Sequence, residues 1–454
     1  MGTHSTLRRM PTEIICEIFS HLSAPLKVNH AHEFPWYLGQ ICSQWRTLFL
    51  SMQSAFWQEI EIDWLRPVHD SHIQRSYSER IEEIFTFFLN CTRAEPFSFT
   101  LFRCGYSKHE NSSARWILHA LLEHSRQWDQ VHIVLELPEV RLLCAAKGRL
   151  THLKRLELIV FDPDNYQHDD VSLPQTVCNL FHDAPLLTHV IIPQISNWKL
   201  NWSSLTVLDL RSASIDNVGP MFNVLRETIN LVKLAVNPTF MWYGMQMDNE
   251  VSTNGLIHLP RLKCLSLKGV ELLIALEVPT LQRLKITFYD DDDPEIEDAG
   301  IMVAFLSRSR LRLDTFITEL AKGATIKEVL PYMPDLENLI FRKTGELADV
   351  FDWLAERSEP RISCLTVLSA FNDESVLEHE DLKALHDMVV RRNPPGDVRN
   401  LPSPPKLFLQ APEEVGEALE RLKSLCVDRA IRLQFVNVSG DSRFDVNEYI
   451  DKFQ

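Results

Sequence analysis

The sequence predicts an α/β chain (an α+β solenoid): a small helical module followed by an irregular array of short parallel strands and helices. Three observations carry this. A Leu-x-x-Leu-x-Leu theme recurs along most of the chain, amphipathic helical stripes fall between several of its copies, and the N-terminal stretch holds helical stripes before the first copy. A strand whose alternate residues point inward, and which returns through a helix or loop, cannot bury its own apolar edge. Neighbouring units must stack to supply the missing partner.

The N-terminal element comes first. Pro11 stands in the first turn of a helix, where its missing N–H is tolerated, and Glu13 complements the positive end of the dipole. Ile14, Ile15, Ile18, Phe19 and Leu22 recur at i, i+1, i+4, i+5 and i+8, the apolar stripe of one helical face. Leu38, Ile41, Cys42, Trp45, Leu48 and Phe49 make a second stripe, followed by Trp57 and the alternating Ile60-Glu61-Ile62. By spacing alone, this is a helical hairpin whose stripes are core.

Residues 8–63 also resemble an F-box. The resemblance rests on Met10-Pro11-Thr12-Glu13-Ile14-Ile15, Ile18-Phe19, Leu22, Ile41-Cys42-x-x-Trp45, Leu48 and Trp57. It departs from the family at Met10, where Leu is usual and the swap conserves volume, and in the long loop from Ser23 to Tyr37. The resemblance implies a three-helix module that docks onto a Skp-type adaptor and, through it, onto the cullin scaffold of a ubiquitin ligase. It implies adaptor-binding roles for Pro11, Glu13, Ile14, Ile15, Ile18, Phe19, Leu22, Leu38, Ile41, Cys42, Trp45 and Leu48. Some of these must form the module's own core, and the sequence does not sort them.

A polar stretch, 64–79, is expected as a linker. The array then spans 80–440, with a tail at 441–454. Its copies are Trp128-x-x-Val131-x-Ile133, Leu153-x-x-Leu156-x-Leu158, Leu187-x-x-Val190-x-Ile192, Leu205-x-x-Leu208-x-Leu210, Leu231-x-x-Leu234-x-Val236, Leu262-x-x-Leu265-x-Leu267, Leu281-x-x-Leu284-x-Ile286 and Leu336-x-x-Leu339-x-Phe341. Leu365-x-x-Leu368 and Lys406-Leu407-Phe408-Leu409 extend the series, and one degenerate unit is expected around Leu311 to Phe316. Successive first positions lie 25, 34, 18, 26, 31, 19 and 55 residues apart. With no Asn evident after the strands to ladder the turns, this is a leucine-rich-repeat-like array of irregular period. Helices are expected over 80–90, 114–125, 220–227, 326–332, 381–391 and 413–430, with a last strand at 431–436. The layout of this ending also resembles that of large fungal F-box families.

Composition bounds the function. A chain of 454 residues with 45% apolar and 24% charged residues is ordinary for a soluble globular protein. A net charge of −16 argues against nucleic-acid backbones and anionic membranes as partners, although a total says nothing of a local basic patch. The nine cysteines are odd in number, hold no Cys-x-x-Cys, and read as small buried hydrophobes. No signal peptide is expected at Met1–Met10, nor any apolar run long enough to span a bilayer. Met1-Gly2-Thr3-His4-Ser5-Thr6 fits the N-myristoylation pattern, which is short and common by chance.

Enzymatic motifs are not found. None of the 14 glycines builds a phosphate loop or a nucleophile elbow. His30-Ala31-His32 and His69-Asp70-Ser71-His72 lack the spacing of a metal site, so no metal or cofactor is expected. The run from Asp290 to Asp298 reads as a solvated acidic loop. Trp198, Trp202, Phe240, Trp242 and Tyr243 fall between strands and are candidates for binding a target protein, against a plainer reading in which they pack on the array. The expected function is non-catalytic: the substrate-recognition subunit of an SCF-type cullin-RING ubiquitin ligase, cytoplasmic and/or nuclear. The alternative is a repeat scaffold for protein–protein interaction without a link to ubiquitination.

Overall fold

The computed structural model describes residues 10–21, 26–27, 41–51, 57–63, 71–92, 94–102, 112–161, 175–192, 198–213, 218–238, 255–288, 297–319, 323–342, 347–357, 362–368, 379–392, 406–410, 417–428 and 431–436. Leu22, Leu38, His30, His32, His69, Phe240, Trp242, Tyr243, residues 290–296 of the acidic run and residues 441–454 lie outside these. The fold is mixed α/β, built on parallel strands. The chain divides into two compact units, Met1–Asp216 and Asn217–Gln454, a division inside the stretch that the sequence reads as one array.

Among the described residues the first unit contains seven strands: β1 (Leu26–Lys27), β2 (Glu59–Asp63), β3 (Phe97–Phe102), β4 (Trp128–Glu136), β5 (Arg155–Phe161), β6 (His189–Ile191) and β7 (Val207–Ala213). Each pairs in parallel with the next in chain order. Parallel pairing needs a crossover between strands, and here two of the crossovers are the helices Ser71–Thr92 and Ser112–Glu123. The fourth position of the apolar theme stacks in register from strand to strand: Phe99 on Val131, Leu156, Val190 and Leu208. All five side chains are buried.

The second unit repeats this arrangement with β8 (Lys233–Pro238), β10 (Cys264–Lys268), β12 (Arg283–Thr287), β13 (Thr315–Glu319), β14 (Asn338–Arg342), β15 (Cys364–Leu368), β16 (Lys406–Gln410) and β17 (Arg432–Val436). The two-residue strands β9 (Ile257–His258) and β11 (Leu276–Glu277) pair with each other apart from that sheet. Leu234, Leu265, Leu284, Phe316, Leu339, Leu365, Leu407 and Leu433 form the inward ladder. The helices Glu297–Ser309, Gly323–Val329, Ala348–Glu356, His379–Arg392 and Glu417–Asp428 pack on one another in chain order.

Arginines tie successive turns together. Arg308 donates to the carbonyls of Leu273 (2.7 Å), Ile274 (3.2 Å) and Leu276 (2.8 Å). Arg392 donates to those of Leu354 (2.6 Å) and Arg357 (3.0 Å). These carbonyls lie at or near the ends of short helical segments, and a guanidinium fork supplies them with further donors.

Several expectations change. The helix with its apolar stripe at 80–90 begins at Ser71, so residues 71–79, expected as linker, are helical. Its polar first half shows no stripe, and the buried Ile81, Phe85 and Phe88 hold it from the other end. Leu365 is a fourth-position residue rather than a first, since it pairs with Leu339 and Val367 pairs with Phe341. Ile362 stands at the first position and disguises the frame. Elements not expected include β1, which lies in the stretch from Ser23 to Tyr37 read as a loop, β3, β9, β11 and the helices Glu297–Ser309 and Ala348–Glu356. In β3, Phe97, Phe99 and Leu101 alternate with Ser98 and Thr100, an aromatic version of the inward pattern that a search for leucine passes over.

Candidate functional site: an exposed apolar surface and two sheet faces

The two N-terminal helices, Thr12–His21 and Ser43–Ser51, split their apolar residues between interior and surface. Ile15 and Phe19 are 0% exposed, while Trp45 and Phe49 are 7% and 3%. Phe19 meets Trp45 edge-on with ring centroids 5.1 Å apart, and Phe49 meets Trp57 at the same distance. From Trp57 the ring contacts continue through Phe88 (6.4 Å), Phe97 (5.6 Å), Phe99 (6.1 Å) and Trp128 (5.1 Å). Aromatic pairs of this geometry contribute about 0.5–1.5 kcal/mol each beyond area burial. The helical module therefore shares its core with the first unit's sheet.

The remaining stripe residues face outward. Ile14 is 50% exposed, Ile18 36% and Ile41 42%, and Leu50, one residue beyond Phe49, is 38%. Ile14 and Ile18 are four residues apart and share a helical face. Pro11 and Glu13 are exposed, and Cys42 and Leu48 are half-buried. Among the described residues this short segment holds four of the eleven exposed large apolar side chains. The structure thus sorts the stripe that the sequence left unsorted.

The outward face of the first unit's sheet carries a polar cleft of about 220 Å³. It is lined by strand residues that include Phe99 and Val131, whose side chains belong to the inward ladder, and Glu59, Ser98, Thr100, Gln130, His132, Arg155 and Glu157 supply its polar groups. The Glu157 carboxylate lies 3.7 Å from His132 Nε2 and 3.6 Å from Arg155 Nη2. The Phe102 ring meets the His132 ring at 4.9 Å. Acidic residues lead on this face: Glu59, Glu61, Glu136, Glu157 and Asp209 against Lys27 and Arg155.

The corresponding face of the second unit is the reverse. At its outward positions stand Lys233, Lys268, Arg283, Lys285, Arg342, Lys406 and Arg432, with Glu319 as the one carboxylate among the described residues. Lys285 Nζ and Arg342 Nη1 each lie 3.6 Å from Glu319 Oε2, and Thr287 Oγ1 donates to the same oxygen at 3.4 Å. Ile317 and Ile340, in the middle of the face, are buried. The sequence reading missed this face, yet it left a signal. The residues flanking the fourth-position leucine are cationic in Lys233-Leu234, Arg283-Leu284-Lys285, Lys406-Leu407 and Arg432-Leu433.

The aromatic target-binding candidates fare differently. Trp198 and Trp202 are 4% and 6% exposed, and Trp198 packs on Phe181 with ring centroids 5.6 Å apart. They belong to the interior and offer no recognition surface. Phe240, Trp242 and Tyr243 lie outside the described residues.

Other chemistry is limited. Burial raises the thiol pKa of Cys178 and Cys364, and that of Cys426 to about 11, so these thiols are protonated and unreactive near neutrality. Among the described residues no group of three or more His, Cys, Asp or Glu is arranged to hold a metal ion. None of the described helices is long and apolar enough to cross a membrane. Compared with protein-family models and with curated proteins, the chain matches none.

Proposed function

We propose that this chain is the substrate-recognition subunit of an SCF-type cullin-RING ubiquitin ligase, acting in the cytoplasm and/or nucleus. The N-terminal helices bind a Skp-type adaptor, and the strand array, a leucine-rich-repeat-like solenoid, holds a target protein near the ubiquitin-loaded enzyme. The chain raises the target's effective concentration and itself catalyses nothing. The observation that carries the reading is the division of one apolar stripe. Ile15, Phe19 and Trp45 serve the interior, whereas Ile14, Ile18 and Ile41 are exposed and need a partner to cover them. Fully burying an exposed isoleucine contributes about 1.5–3 kcal/mol; these three are already partly covered, so they supply part of that each, and further contacts must offset the cost of association.

The test is co-expression with a Skp-type adaptor followed by pull-down. Substitutions belong on exposed positions, since Trp45 packs on Phe19 and Trp45→Asp would damage the fold. The native chain is expected to form a complex, and an Ile14→Asp/Ile18→Asp chain with an unchanged circular-dichroism spectrum is expected to lose it. A well-folded native chain that forms no complex overturns the proposal and leaves a repeat scaffold, whose N-terminal helices only cap the array.

A further inference from the structure

We propose that the polar cleft on the outward face of the first unit's sheet binds the ammonium group of a lysine side chain presented by a partner protein. That partner is a target only on the receptor reading, and the chemistry of the cleft stands without it.

Size and charge come first. At about 220 Å³ the cleft falls below the roughly 300–1,000 Å³ of small-molecule sites, so it has room for one side chain and not for a cofactor. Its ion pairs leave one charge over. The Glu157 carboxylate already faces His132 at 3.7 Å and Arg155 at 3.6 Å, and beside the cleft Glu61 faces Lys27 at 4.0 Å. Glu59 is exposed and has neither an ion pair nor a hydrogen bond through its side chain among the described residues. The unmet charge of the cleft is therefore a carboxylate, and the group that complements it is a cation.

The neutral groups narrow the cation. Ser98 stands opposite Glu59 in the strand register, about 5 Å away across the sheet. Thr100 follows two residues along the same strand, on the same face. Ser98 and Thr100 are half-buried and Gln130, on the neighbouring strand, is exposed; the side chains of all three have no hydrogen-bond partner among the described residues. Two hydroxyls, an amide oxygen and a carboxylate thus line one cleft as acceptors without a donor. An ammonium carries three donors and no acceptor, so it satisfies three of them at once. A guanidinium gains most from bidentate pairing with a carboxylate and uses scattered single oxygens less well. A carboxylate ligand would be repelled by Glu59, and the nearest cation, Arg155, is already beside Glu157.

The experiment is saturation-transfer difference NMR on the full chain without adaptor, with N-acetyl-lysine methylamide as the probe. Adaptor failure and probe failure are then separate results. A saturable signal on the lysine methylene protons is expected, weakening as salt is raised. Affinity should fall roughly tenfold with Glu59→Gln and severalfold with Ser98→Ala/Thr100→Val. Glu328→Gln, exposed on the helix Gly323–Val329, should change nothing. The ε-acetylated probe keeps the length and loses the charge, and should bind roughly tenfold more weakly or worse. Equal affinity in the native and Glu59→Gln chains overturns the proposal, as does equal binding of the ε-acetylated probe. Tighter binding of N-acetyl-arginine methylamide also overturns it, since the cleft would then be a guanidinium site. So does a signal that stays linear in probe concentration, the mark of non-specific contact.

Discussion

The two units build their inward faces alike and their outward faces oppositely. In both, a column of Leu, Val, Ile and Phe stacks in register at the fourth theme position. Outward, the first unit presents Glu59, Glu61 and the His132–Glu157–Arg155 group, and the second presents Lys233, Arg283, Lys285 and Arg432. The inward residues answer to packing, where removing a few methylenes costs several kcal/mol. The outward residues are mixed: Ile317 and Ile340 are buried there as well, and Glu319 pairs with Lys285 and Arg342. A sheet of this kind separates the two faces residue by residue along each strand.

That comparison can be broken or sharpened by substitution. Its largest expected effects are inward. Leu158→Ala in the first unit and Phe316→Ala in the second, both buried, should each destabilise by about 2–5 kcal/mol in urea unfolding. The exposed Glu59→Ala and Lys233→Ala should stay within about 0.5 kcal/mol. An outward change as costly as an inward one would make the charges structural and dissolve the contrast.

Next come the arginine ties. Arg308→Met removes a fork that serves three carbonyls, and burial already lowers the pKa of this guanidinium. A loss of about 2–3 kcal/mol is expected. Arg308→Lys should not restore it, because an ammonium lacks the planar fork. In the first unit Arg149 donates to the Glu123 carbonyl from a more exposed position, so Arg149→Met should cost about 1 kcal/mol. Equal losses at the two sites would show that burial does not set the strength of the tie.

A smaller effect has the opposite sign. Thr318 occupies an inward sixth position between Ile286 and Phe341, is fully buried, and its hydroxyl has no hydrogen-bond partner among the described residues. Thr318→Val keeps the shape and removes the stranded group, so the second unit should gain about 1 kcal/mol. A loss instead would reveal a bonded hydroxyl.

The last effect is confined to alkaline solution. The Cys426 thiol is raised by burial from 9.0 to about 11 in the folded chain. Below about 9 both states hold the proton and its contribution to stability is intact. Above that the unfolded chain releases the proton first, and the contribution is lost as pH rises to about 11. The urea midpoint of Cys426→Ala should be flatter than that of the native chain over this window. Identical slopes would place the thiol in water.

Much of this was legible in the sequence, and the gaps have physical causes. The eight full copies of the apolar theme fall on strands β4, β5, β6, β7, β8, β10, β12 and β14 because one-sided burial leaves a two-residue period that composition does not hide. β3 was hidden because phenylalanine replaces leucine in it. The helix Glu297–Ser309 was hidden because it begins inside an acidic run that reads as solvated loop. The division between Ile14 and Ile15, or Ile18 and Phe19, is invisible in a stripe where both neighbours are apolar. Only the ring contact of Phe19 with Trp45 decides which side is core. Trp198 and Trp202 misled for the converse reason: large aromatics between strands look like exposed anchors until a neighbour such as Phe181 is placed beneath them. The basic face could have been read from the residues flanking each fourth-position leucine, but only once the register was known.

Within each unit, strand order follows chain order, and this bears on how the protein is made. A ribosome releases the strands in the sequence in which they pair, so each newly emerged strand of the first unit meets an edge its predecessor has already completed. Each strand after β1 finds one partner already made and waits only for the next, so the interval over which a naked edge is open to other chains is the time needed to translate one crossover. The apolar surface at Ile14 and Ile18 emerges before any of them. Newly made chains therefore carry those residues through the remainder of their synthesis, and the adaptor proposed for them would have its first opportunity while the rest of the molecule is still being assembled.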